Sequence, residues 1–171
     1  MKKLICTPAI AIILITGPCW ASQGGDIQFF GNVTEVTCDV TPEINGSVTD
    51  LVQLGTVKTN TPGDKVNLVI KATSTAAGSC NQLSGKTAYI AWSGNLNTNG
   101  LGAQGGAAQD AYVILKPVNG TDDNPITSAD YVADFDATKA TTDGFKFTAQ
   151  LQGGNTPGDF KSAAAYVVTY Q

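Results

Sequence analysis

The chain has 171 residues, with ten lysines, fourteen Asp or Glu, no arginine and no histidine, for a net charge of −4. An acidic balance of this kind repels phosphate backbones, so nucleic acid is not an expected partner. The absence of histidine removes serine-histidine and cysteine-histidine catalysis and every histidine-based zinc site.

Residues 1–21 differ in kind from the rest. Lys2 and Lys3 precede an apolar run from Ala9 to Ile15, and Cys19-Trp20-Ala21 places small residues three and one before a cut. This is the pattern of a secretory signal peptide cleaved after Ala21, and the apolar run is well short of the roughly 20 residues a spanning helix needs. Removal leaves 150 residues with 8 lysines and 14 carboxylates, a net −6, which suits one domain. Cys38 and Cys80 then remain as an even pair in an exported protein, so a disulfide is expected. A bridge between positions 42 apart would contribute about 4 kcal/mol on the chain-entropy model.

Residues 22–40 carry an apolar stripe that changes sides. Ile27, Phe29, Gly31 and Val33 share one parity, whereas Thr34, Val36, Cys38 and Val40 carry the other. Side chains alternate faces with period two, so one strand cannot bury both sets. Two extended segments joined near Thr34 and Glu35 are therefore expected, the first with no strand of its own to pair with. The boundaries read as signal peptide 1–21, an amino-terminal extension 22–33 and a folded domain 34–171.

Thr41-Pro42-Glu43-Ile44-Asn45-Gly46-Ser47 is turn chemistry, with Asn-Gly its strongest element. Strand-like stretches follow at Leu51–Val57, Val66–Ala72, Thr87–Trp92, Tyr112–Val118, Tyr131–Phe135, Phe145–Leu151 and Ala164–Tyr170. No window of helical length holds a 3.6-residue stripe, so the spacing predicts an all-β sandwich of short strands. Residues 93–110 contain five glycines and read as a polar surface loop. Within them Gly100, Gly102 and Gly105, with Asp122 beyond, fit a dinucleotide-binding fingerprint, but the next ordered stretch reads as a strand rather than the helix that motif needs. Asp122-Asp123-Asn124 and Asp134-x-Asp136 offer hard oxygen ligands without the spacing of a calcium loop. Neither catalytic residues nor a cofactor or metal are expected, and no enzyme is read here. The final strand places Ala164, Tyr166, Val168 and Tyr170 on one face and runs to the last residue, which leaves one groove to fill and one spare strand at the other end.

Taken together, Ile27-Gln28-Phe29-Phe30-Gly31 ahead of Val33-Thr34-Glu35-Val36-Thr37-Cys38, the second cysteine at Cys80, Gly158 fourteenth from the end and the penultimate Tyr170 resemble the structural subunits of chaperone-usher fimbriae. Thr41–Gly46, Ala91-Trp92-Ser93-Gly94 and Ala149-Gln150-Leu151 are most similar to the enterotoxigenic fimbrial subunits whose major pilin is a lectin for sialylated glycolipids. The resemblance implies an incomplete immunoglobulin-like β-sandwich, the pilin fold, lacking its seventh strand and stabilised first by a periplasmic chaperone and then, at the outer-membrane usher, by the extension of another copy or a related subunit. It implies a cell-surface fimbrium reached through the periplasm. On this view Ile27, Phe29, Gly31 and Val33 form the donor strand, and Gly158, Tyr166, Val168 and Tyr170 contact the groove or the chaperone.

Host glycans are a further candidate partner. Trp92, Tyr112 and Tyr131 can stack on a sugar, and Lys116, Lys139 or Lys146 can meet a sialic-acid carboxylate. Against this, Thr87–Trp92 also reads as a buried strand, and Gln152-Gly153-Gly154-Asn155-Thr156 replaces the basic segment that the resemblance implies in the lectin subunit. The alternative of another class is a secreted carbohydrate-binding module that completes its own sandwich.

Overall fold

The computed structural model describes residues 38–73 and 80–171. The signal peptide, the extension with Ile27, Phe29, Gly31 and Val33, and residues 34–37 lie outside the described residues. Within them the chain forms β1 (Val40–Ile44), β2 (Ser47–Val48), β3 (Pro62–Ala72), β4 (Thr87–Gly94), β5 (Leu101–Gly102), β6 (Tyr112–Pro117), β7 (Val132–Asp136), β8 (Phe145–Gln152) and β9 (Ala164–Tyr170). They make two antiparallel sheets, β2-β1-β3-β8-β6-β5 and β7-β4-β9.

Period-two alternation builds the core between the sheets. In β8, Phe145, Phe147, Ala149 and Leu151 are buried while Lys146, Thr148, Gln150 and Gln152 face outward, and β4 and β6 alternate in the same way. Phe135 of β7 closes the centre, with its ring 5.1 Å from Phe145 and 5.3 Å from Phe147. A disulfide joins Cys38 to Cys80 and so ties the start of the large sheet to the chain leading into β4.

The structure departs from the sequence-based expectations in three places. First, the turn expected over residues 41–47 is confined to Asn45 and Gly46, both at positive φ, and Val40–Ile44 is a strand that pairs with β2 and β3. Asn-Gly suits a type I′ hairpin, and one two-residue turn suffices to reverse the chain. Second, residues 93–110 are not all surface: Leu101–Gly102 pairs with β6, and Leu101, Ala103 and Ala108 are buried. Small residues let this segment pack against its neighbours, which composition alone does not distinguish from exposure. Third, residues 51–57, expected as a strand, belong to neither sheet, and Gly55 at φ +72° breaks the extended backbone that a strand needs.

Phe135 is wholly buried between the sheets. Replacing it with alanine is expected to lower stability by about 3 to 5 kcal/mol, read as a fall in denaturant midpoint at unchanged slope.

Candidate strand-acceptor groove

A groove of about 1340 Å³ opens between the sheets along the free edge of β9. Leu68, Val113, Leu115 and Leu151 give it an apolar floor from the large sheet, and Trp92 and Tyr166 a wall from the small one. It exceeds the roughly 300 to 1,000 Å³ of ordinary small-molecule sites.

Each lip is a segment with backbone groups left unpaired among the described residues. Gln171 and Thr87 exchange both backbone hydrogen bonds, at 2.8 and 3.0 Å. The alternation of an antiparallel ladder then turns the N–H and C=O groups of Ala164, Tyr166 and Val168 away from β4, toward the groove. On the opposite lip, Val52, Leu54 and Val57 pack against the core. Among the described residues, the backbone from Val52 to Val57 makes no hydrogen bond. Val52, Leu54 and Val57 turn inward, but Gly55 interrupts the run at φ +72°, so this lip is irregular backbone and not a regular strand. A chain laid along the groove would meet unpaired backbone groups on both lips.

One end of the groove is tightly built. Lys161 pairs with Gly105, and Gln104 both donates from Nε2 to the Ala163 carbonyl at 3.0 Å and accepts from the Ala163 N–H at 3.2 Å. Gly158 sits here with φ +150°, and a Cβ on it would lie 2.5 Å from the Cβ of Ala107. Asp110 accepts from the backbone N–H groups of Asn155 at 2.6 Å and Thr156 at 3.3 Å. The Asn155 bond is the main reason its carboxyl lies below the ordinary value.

At the other end Tyr170 is buried, and its hydroxyl donates to the Cys38 carbonyl at 3.0 Å. Burial, followed by the charges of Asp39 and Tyr166, pushes its pKa up to about 12. Of the four residues expected at the groove, Gly158 and Tyr166 line it. Val168 and Tyr170 instead pack into the core, while Val168 also contributes to the unpaired edge.

The residues considered for glycan binding are dispersed. Trp92 is only 6% exposed and lies edge-on to Phe147. Its Nε1 has no hydrogen-bond partner among the described residues. Each of the three lysines has a local oxygen partner. Lys116 meets Asp123 at 2.8 Å, Lys139 donates to the Asn119 carbonyl at 2.6 Å, and Lys146 lies 3.7 Å from Asp143. Lys116 holds the Asp123 carboxyl below the usual range. Asp136 caps the 3-10 turn Ala137–Thr141 by accepting from the Thr138 N–H at 2.9 Å. Among the described residues no three acidic or cysteine side chains converge in a way that would hold a metal.

The lip at residues 51–57 is the functional element that sequence reasoning misplaced. Its alternation was visible, but alternation signals an extended chain and not the presence of a neighbour.

No protein-family model matches the chain. Among curated proteins it is 50% identical to the F107 fimbrial protein of Escherichia coli, over 172 aligned residues and the whole of both chains. It is 32% identical to the K99 fimbrial protein of Escherichia coli over 99% of each, and 25% identical to the major MR/P fimbria protein of Proteus mirabilis over all of this chain and 99% of that one. Among solved structures, the P pilus rod subunit PapA superposes with a TM-score of 0.53 at 15% identity, covering 85% of this chain and all of PapA, a likeness of fold.

Ionisation of Tyr170 would place a charge in the core. A tyrosine whose folded-state pKa is raised holds its proton in the native state after the unfolded chain has lost it. Stability is therefore expected to be unaffected by this group below pH 10 and to fall between pH 10 and about 12, by roughly 1.4 kcal/mol per pH unit. Thermal melting across that range checks it, and Tyr170→Phe should remove this part of the slope.

Proposed function

Because this chain belongs to the chaperone-usher fimbrial subunits and is a structural subunit of a fimbrium, we propose that it polymerises by donor-strand exchange, with residues 22–33 of one copy filling the groove of the next. The observation that carries this reading is the groove itself: an apolar slot whose two lips, β9 and residues 51–57, both have backbone groups to pair. The extension has the matching character. Ile27, Phe29 and Val33 would each contribute about 1.5 to 3 kcal/mol on burial, and each ladder hydrogen bond roughly 0.5 to 1.5. Gly31 interrupts the stripe where a donor backbone would lie close to the floor.

The same chemistry makes an unfilled subunit a hazard, because an exposed sheet edge beside an apolar slot pairs with any available strand. A periplasmic chaperone lending a strand to β9 until the usher exchanges it is the corresponding assembly partner. Adhesion to host cells then follows from the fibre. The two-lipped groove counts against a self-complete secreted lectin, since such a module needs no strand from outside.

The test is expression of the mature chain, residues 22–171, in a periplasm, alone or with a second copy of residues 22–33 fused after Gln171. The chain alone should aggregate or be degraded, and the fusion should be soluble and monomeric. A soluble, long-lived monomer without the fused copy would refute the proposal.

A second measurement grades the contacts. Phe29→Ala within the fused copy is expected to lower the stability of the complemented chain by about 3 to 5 kcal/mol, as for a buried aromatic, and Gln28→Ala by less than about 0.5.

A further inference from the structure

Cys38 lies at the junction between the extension and the folded body, five residues beyond Val33 in the chain. The disulfide joins it to Cys80, upstream of β4, and its carbonyl accepts the Tyr170 hydroxyl at 3.0 Å. Cys38 is therefore tied to β9 of the small sheet by the hydroxyl, and to the segment that leads into β4 by the disulfide, before the chain enters β1 of the large sheet. Tyr170 is on β9, the strand whose free edge forms one lip of the groove.

These ties matter when a fibre is stretched, an argument that rests on the donor-strand reading above. Tension leaves a subunit through its extension and enters it through the strand held in its groove. Without the ties, a pull on Cys38 would act on β1 alone. It would open the β1–β3 ladder from Val40 and Ala72 inward, one pair after another. With them, the pull reaches β9 and β4 at once and shears two ladders together. Because a hydrogen bond contributes only about 1 kcal/mol, bonds broken in sequence resist far less force than bonds that must break together.

We propose that Tyr170 is a positioning residue that passes tension from the subunit's own extension at Cys38 directly into β9, the strand holding the neighbour, and so keeps β1 from being peeled away. The hydroxyl is suited to this: it is buried, its bond is shielded from water, and the ring that carries it is fixed in the core. The disulfide supplies the covalent half of the same junction.

The experiment uses fimbriae assembled from the full chain and held singly at constant force in optical tweezers, with the rate of subunit rupture as readout. Rupture under force follows the unfolding rate rather than the equilibrium, so it separates this role from simple stabilisation. Tyr170→Phe keeps the ring and removes the hydroxyl. Asn119→Ala is the control, because it removes two hydrogen bonds, to the Gly144 carbonyl and from the Lys146 N–H, that lie away from the junction. Tyr170→Phe fibres are expected to rupture faster than wild type by about fivefold, a factor that grows as force is raised, whereas the Asn119→Ala factor stays constant. A Tyr170→Phe factor independent of force would overturn the proposal. If the variant does not assemble alone, fibres with a minority of Tyr170→Phe subunits among wild-type ones give the same comparison. Absence of fibres from the wild-type chain would refute the donor-strand reading instead.

Discussion

Backbone hydrogen bonding is the constraint on which the rest of this structure depends. A buried N–H or C=O that gives up water must find a partner, and in a sandwich that partner is the next strand. Here the ladder stops short: Ala164, Tyr166 and Val168 direct their backbone groups out of the small sheet, and residues 51–57 run beside the large one without joining it. Between them lies apolar floor. A strand of alternating apolar residues would answer both deficits, which is why the proposed assembly by donor-strand exchange rests on this groove.

The remainder of the fold holds the two lips apart. Phe135, Phe145 and Phe147 fill the centre of the sandwich, so the groove cannot close by collapse of the sheets. At one end, contacts among Gln104, Gly105, Gly158, Asp159 and Lys161 lock the approach to β9. At the other, the disulfide and the Tyr170 hydroxyl bind both sheets to the segment leading from the extension. A groove with fixed ends admits a strand of defined length, and defined length sets register. Register decides which side chains enter, because a slip of one residue turns every apolar group of the donor outward.

The distribution of charge agrees with a role in assembly more than with a sugar site on this body. Lys116, Lys139 and Lys146 are each engaged by a carboxylate or a carbonyl close by, Asp123, Asn119 and Asp143 in turn. Trp92, the best stacking surface in the folded domain, is in the wall of the groove. Its buried position follows from the parity of β4, in which Ala88, Ile90 and Trp92 share the inner face.

Much of this was legible in residue order because the relevant physics is local. Period-two alternation marked β3, β4, β6, β7, β8 and β9, the Asn45-Gly46 pair marked a turn, and two cysteines in an exported chain implied their bridge. The change of parity after Val33 is what suggests a donor segment ahead of the body, and that segment lies outside the described residues. The tertiary structure alone decided which extended stretches acquire neighbours. Val40–Ile44 became a strand despite its proline, Leu101 and Ala108 entered the core from a glycine-rich loop, and Val52–Val57 was left unpaired. Pairing and burial are set by residues dozens of positions away, so a chain can specify its own conformation at each site without specifying what will lie beside it.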